Sequence, residues 1–168
     1  MNMSHSQEWI DQIRQEVLAS LPEGHREWAE RHSLHGSPQS SKLASLIDHT
    51  LLRPDATEQE IETLCKEAVD FRFTSVCVHS CWVEYCAQRL GDTPVRICSV
   101  AGFPFGTNAS SVKAFEASEA FSLGAHEIDM VINPGFLKGK NYAAVMQDIR
   151  AVVDIAHGQC VKVIIETA

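Results

Sequence analysis

The chain has 168 residues, 45% of them apolar, and a formal charge of −8. That length supports one domain with a hydrophobic core, and the apolar share excludes a disordered polymer. The negative balance excludes nucleic acid and anionic membrane as main partners, and no apolar run approaches the ~18 residues needed to cross a bilayer. Residues 6–21 read as an amphipathic helix, with Ile10, Ile13, Val17 and Leu21 recurring every three or four positions until LPEG stops it. The polar stretch HSLHGSPQSSK, 32–42, reads as linker, so residues 1–42 are expected as a helical extension and 43–168 as the main domain.

From Leu43 the rhythm changes. LASLIDHTLL is a strand candidate, followed by a helix over RPDATEQEIETLCKEAVDF. There Thr57 and Glu60 make a capping box, and Ile61, Leu64, Cys65 and Ala68 an apolar face. TSVCVHS is a strand and CWVEYCAQRLG a helix; VRICSVAGF is a strand and NASSVKAFEASEAFSLG a helix. EIDMVIN and NYAAVMQDIRAVVDIAHG repeat the pair, and CVKVIIET is a fifth strand. Strict alternation with short loops predicts a parallel sheet with helical crossovers, buried on both faces. A doubly wound sheet and a (β/α)₈ barrel share this pattern. The first strand-to-helix turn, HTLLRPDAT, lacks a glycine-rich phosphate fingerprint, and charges recur inside several strands, as a barrel with an interior site requires.

Side chains alternate along a strand. Leu46, Asp48 and Thr50 therefore share a face of the first, Glu127, Asp129, Val131 and Asn133 a face of the fourth, and Lys162, Ile164 and Glu166 a face of the fifth. Turning the ionic faces inward puts Asp48, Asp129 and Lys162 in one chamber. Charges in a core are costly, and a buried Lys–Asp pair that only sets register is the plain alternative. Three charged positions from three strands favour chemistry. A lysine amine is nucleophilic when neutral, and a depressed pKa would place Lys162 to form a Schiff base, with a carboxylate beside it for proton transfer.

The start, MNMSHSQEWIDQIRQEVLASLP, shows no basic segment followed by an apolar block, so a cytoplasmic location is expected. Cys65, Cys77, Cys81, Cys86, Cys98 and Cys160 are then expected as buried reduced thiols. CVHSCWVEYC, 77–86, offers three thiols and His79, but its spacing fits no zinc ribbon or finger, and alternation aligns only Cys77 with His79. No metal is expected.

The stretches LIDHTLLRPDAT, SVCVHSCWV, AGFPFG, EIDMVIN and VKVIIET, in order over residues 43–168, resemble the signature stretches of the 2-deoxyribose-5-phosphate aldolases. The resemblance implies a class I aldolase on a (β/α)₈ barrel, with no metal or other cofactor, that reversibly cleaves 2-deoxy-D-ribose 5-phosphate to acetaldehyde and glyceraldehyde 3-phosphate. It implies Lys162 as the Schiff-base nucleophile and Asp129 as the proton donor and acceptor. Asp48 and Thr50 would lie near the substrate's polar groups, and Cys77 would line the chamber. Ser80 stands where that family usually has proline. The family's next stretches, a second lysine in a KTSTG-like motif and a glycine-rich phosphate site, do not occur in these 168 residues. A barrel fragment is therefore expected, with little turnover alone, a non-catalytic interaction module as the alternative, and exposed apolar stripes that favour a homo-oligomer.

Overall fold

The computed structural model describes residues 43–166. The predicted helix over 6–21 and the linker over 32–42 lie outside them, as do Thr167 and Ala168. Within them, β1 (Asp48–Leu51), α1 (Glu58–Phe71) and β2 (Ser75–Val78) are followed by a 3₁₀ turn (Ser80–Trp82) that runs into α2 (Val83–Leu90). Then come β3 (Arg96–Ala101), α3 (Ser110–Ser122), β4 (Glu127–Val131), α4 (Pro134–Lys138), α5 (Tyr142–Ile155) and β5 (Cys160–Ile164).

Every strand pair is parallel, in the order β1-β2-β3-β4-β5. A doubly wound sheet reverses its strand order at a switch point, whereas a barrel adds each strand beside the last. The steady order is the barrel's. Alternation divides the strand residues between two cores. Val76, Val78, Ile97, Ile128 and Met130 pack outward against Ile61, Leu64, Ala68 and Val152 of the helices, while Cys77, Cys98 and Val100 form a separate inner cluster with Leu52.

The capping box on α1 forms as predicted. Thr57 Oγ1 accepts from the Glu60 N–H at 3.4 Å, and Glu60 Oε2 accepts from the Thr57 N–H at 2.8 Å. Ile61, Leu64, Cys65 and Ala68 are the buried face of that helix. Two elements differ from expectation. Of LASLIDHTLL only Asp48–Leu51 is strand; Leu43 and Ala44 are helical, and Leu46 N–H and Ile47 N–H turn back to the Leu43 and Ala44 carbonyls at 3.0 and 3.1 Å. The neighbouring strand begins at Ser75, paired with Asp48, so the preceding residues have almost no ladder to join. Helix α4 was not predicted, because five residues are too few for periodicity to show. Asn133 Oδ1 caps it by accepting from the Phe136 N–H at 3.0 Å, with Pro134 in the first turn.

A buried ion pair ties the helical layer to the sheet. Lys113 on α3 donates from Nζ to Asp148 Oδ2 on α5 at 2.6 Å and to the Val131 carbonyl at the end of β4 at 2.9 Å. Both side chains are almost fully buried, 0% and 2% exposed. Just past β3, Gly102 holds φ +68°, which favours glycine, and a Cβ there would lie 2.8 Å from Cε of the Lys113 stem. Asp148→Ala strands a buried ammonium and is expected to cost about 3–5 kcal/mol of stability. Replacing the pair together by Lys113→Met and Asp148→Leu should cost far less, since no charge is then left unpaired. Urea unfolding midpoints of the two variants measure the contrast; equal losses would mean that volume, not charge, dominates at this site.

Candidate active site

The inner faces of β1, β4 and β5 converge on one ammonium group. Lys162 Nζ lies 2.7 Å from Asp48 Oδ2, 3.1 Å from Glu127 Oε2 and 3.2 Å from Asp129 Oδ1. Register explains the meeting. Asp129 is the direct partner of Lys162 across β4 and β5, and Glu127 is two residues earlier, on the same face. Asp48 reaches the lysine from β1, three strands away from β4 in the sheet order, because curvature turns the inner faces toward one another.

The three carboxylates differ in their surroundings. Asp48 accepts a hydrogen bond from Ser75 Oγ at 2.5 Å as well as from Lys162. Burial opposes its ionisation, but these two bonds prevail and hold its carboxyl below the usual range. Glu127 is nearly buried and also pairs with Arg96 at 2.8 Å. Asp129 is the exception. Burial pushes its carboxyl above the usual range, and the Lys162 ammonium offsets only part of that rise. Its Oδ1 is buried and accepts no hydrogen bond among the described residues, the Lys162 contact having the distance of an ion pair without hydrogen-bond alignment.

Lys162 itself is shifted the wrong way for a resting nucleophile. Desolvation alone would lower its pKa, but the hydrogen bond to Asp48, together with Glu127 and Asp129, raises it above the ordinary lysine value. The depression expected from the sequence is therefore not found; at neutral pH the group is an ammonium.

Of the remaining sequence candidates, Cys77 is buried on the inner face. Thr50 lies on the same face of β1 as Asp48 but is exposed, and its Oγ1 donates to the Asp48 carbonyl at 2.9 Å. The six cysteines are free, but not uniformly buried: Cys81 and Cys160 are exposed. The thiols of CVHSCWVEYC do not converge. Cys86 faces Cys65 across the outer core at 3.8 Å, and His79 Nε2 bonds to the Leu52 carbonyl at 3.0 Å. Sequence reasoning did not use Glu127, Ser75, Arg96 or Cys98. Glu127 and Ser75 stand two residues from Asp129 and Cys77, and that spacing was the available signal; the third strand, which carries Arg96 and Cys98, held no candidate to point to them.

No helix among the described residues is long and apolar enough to cross a membrane. A family model described as DeoC/LacD family aldolase matches residues 42–168. The deoxyribose-phosphate aldolase of Enterococcus faecalis is 51% identical over 128 residues, which are 76% of this chain and 58% of that protein. The deoxyribose-phosphate aldolase of Lysinibacillus sphaericus is 53% identical over 126 residues, 74% of this chain and 56% of its own length. Among solved structures, the tetrameric deoxyribose phosphate aldolase of Aeropyrum pernix superposes with a TM-score of 0.66 at 35% identity, covering 74% of this chain and 52% of that one. The chain thus spans little more than half the length of the curated relatives it matches.

Proposed function

Because the chain belongs to the DeoC/LacD family of aldolases, we propose that it carries the imine-forming lysine and the acid–base groups of a class I aldolase site. The reaction would be the reversible cleavage of 2-deoxy-D-ribose 5-phosphate to acetaldehyde and D-glyceraldehyde 3-phosphate. The observation that carries this reading is the convergence of Asp48, Glu127 and Asp129 on Lys162 from three strands. The family match begins at residue 42, which supports residues 1–42 as an extension outside the aldolase domain.

In this reaction a neutral lysine amine condenses with the substrate aldehyde and releases water. The resulting iminium withdraws the electrons of the C2–C3 bond as a base takes the proton from the C3 hydroxyl. That bond breaks, glyceraldehyde 3-phosphate leaves, and the enamine is protonated at C2 before water frees acetaldehyde. Asp129 suits the proton transfers, because a carboxyl raised above its usual range can both hold and release a proton. Asp48, kept ionised, and Thr50 would receive the sugar's hydroxyl groups, with Cys77 lining the chamber.

The ion pairs on Lys162 describe its resting, protonated state. Two lysines are implied by the resemblance, Lys162 and that of the KTSTG-like stretch. A lysine held by three carboxylates must lose a proton before it can form the imine. Lys162 is the proposed imine-forming amine, with Asp129 beside it for proton transfer and the other lysine as the cation that lowers the pKa of Lys162. A homo-oligomer remains part of the reading, by analogy with the tetramer from Aeropyrum pernix.

The test of the activity is release of acetaldehyde from 2-deoxyribose 5-phosphate by a polypeptide carrying residues 42–168 within a complete barrel. Turnover at an enzymatic rate, absent with ribose 5-phosphate, is expected. If neither sugar phosphate is cleaved and acetaldehyde leaves no borohydride-reducible adduct, the barrel belongs to an interaction module instead.

A further inference from the structure

One cluster on the inner face is not accounted for by acid–base chemistry. Sγ of Cys77, Sγ of Cys98 and a carboxylate oxygen of Asp129 all lie within 4.8 Å of one another. We propose that these three groups are a site for one thiophilic divalent cation, of the zinc and cadmium class, and that its binding silences Asp129. The binding half stands on geometry alone; the silencing half rests on the aldolase reading.

The backbone makes the cluster. Cys77 and Cys98 are direct register partners on the parallel strands β2 and β3, so both side chains leave the sheet in the same direction. Asp129 on β4 pairs with Val100, two residues beyond Cys98, and therefore joins the same face. A tetrahedral zinc with ~2.3 Å metal–sulfur bonds keeps two sulfurs about 3.8 Å apart. The trio thus needs to contract by at most about an ångström, within reach of small side-chain rotations. Two thiolates and one carboxylate select a soft cation over magnesium or calcium and leave the fourth tetrahedral position open to the chamber.

A second observation points to a ligand. Asp129 Oδ1 is buried and meets the Lys162 ammonium at 3.2 Å without an aligned hydrogen bond among the described residues, a condition that folded proteins rarely keep. A cation would satisfy it. A divalent ion with two thiolates and one carboxylate carries a net single negative charge, part of which the Lys162 ammonium 3.2 Å from Asp129 offsets while it also pairs with Asp48 and Glu127. Entry is from the chamber, where Lys162 and Asp129 keep 37% and 18% of their side chains exposed.

Binding involves no electron transfer. Two S–H bonds break, two metal–sulfur bonds form, and both protons pass to solvent. Affinity therefore rises with pH, by up to about a hundredfold per unit while both thiols are protonated. The exposed thiols Cys81 and Cys160 offer no comparable set, since only Cys77, Cys98 and Asp129 form a metal-compatible group among the described residues.

Cadmium titration of the reduced 168-residue chain, followed through the thiolate-to-metal absorption band, tests the site. One equivalent should saturate a band with the intensity of two thiolates. Cys98→Ser and Cys77→Ser, which keep side-chain volume, should each abolish saturation, and Asp129→Asn should weaken binding at least about tenfold. A combined Cys81→Ser and Cys160→Ser variant should titrate like the parent. A saturating band that survives Cys98→Ser, one that vanishes with Cys81 and Cys160, or the absence of any saturating band in the parent chain overturns the site. In an active complete barrel, cadmium should inhibit the parent while Cys98→Ser turns over and resists. If the spectra behave as expected but cadmium does not slow turnover, the site stands and the silencing falls.

Discussion

Asp129→Asn in a complete barrel is expected to lower aldol cleavage by about 10²–10⁴-fold, the usual worth of a positioned acid–base group. Asparagine keeps the shape of the side chain but can neither take nor return a proton. The loss should fall on kcat, and exchange of the acetaldehyde methyl protons with solvent should slow in parallel. Stability should move the other way. The folded-state pKa of Asp129 is raised, so the folded chain binds its proton more tightly than the unfolded chain does. Stability contributed by that proton is present at low pH and is lost as pH rises from the ordinary carboxyl value through the folded one. At neutral pH Asp129 therefore weakens the fold, and the asparagine variant should melt no earlier than the parent. A variant that exchanges methyl protons at the parent rate would remove Asp129 from the chemistry.

The second large effect separates the two roles open to Lys162. If it is a fixed cation, Lys162→Met leaves Asp48, Glu127 and Asp129 facing one another with only Arg96, paired to Glu127, as a positive charge. Losing the ammonium pushes the Asp129 carboxyl further up and removes a bond that holds Asp48's down. The pH at which Asp129 becomes a base then moves upward, and cleavage at neutral pH should fall by about a hundredfold or more, roughly tenfold for each pKa unit. Lys162→Arg keeps the charge, although a planar guanidinium cannot reproduce the geometry of an ammonium among three carboxylates. Only as a fixed cation would it retain a measurable share of activity, with the pH profile close to the parent's. With Lys162 as the proposed nucleophile, both variants are expected to be equally dead, because guanidinium does not form the imine.

Much of this arrangement could be seen in the residues. The alternation of CVKVIIET put Lys162 opposite Val161 and Val163, and EIDMVIN did the same for Asp129, so the inward turn of the ionic faces needed only the period of two. Capping by Thr57 and Glu60 was equally local. What could not be seen is the sum of several neighbours. A lysine's pKa is set by how many carboxylates reach it, and Glu127 was visible on the right face without any sign that its oxygen would stand 3.1 Å from the ammonium. Desolvation was expected to win; three acceptors outweigh it. The Lys113–Asp148 pair shows a different limit. Lys113 shares the buried face of α3 with Ala117 and Ala120, and Asp148 that of α5 with Val145 and Val152, so each charge lay on an apolar stripe. Their partnership spans 35 residues, a long-range contact that periodicity does not encode.

The measurement that bears most directly on the chamber is borohydride reduction of the complete barrel with acetaldehyde, followed by mapping of the labelled peptide. An N-ethylated Lys162 in VKVIIET, with the label lost in Lys162→Arg, is the predicted result, and it makes the ion-paired ammonium the resting form of the nucleophile. Label on a lysine in the KTSTG-like stretch, with VKVIIET unmodified and labelling that persists in Lys162→Arg, would contradict the account.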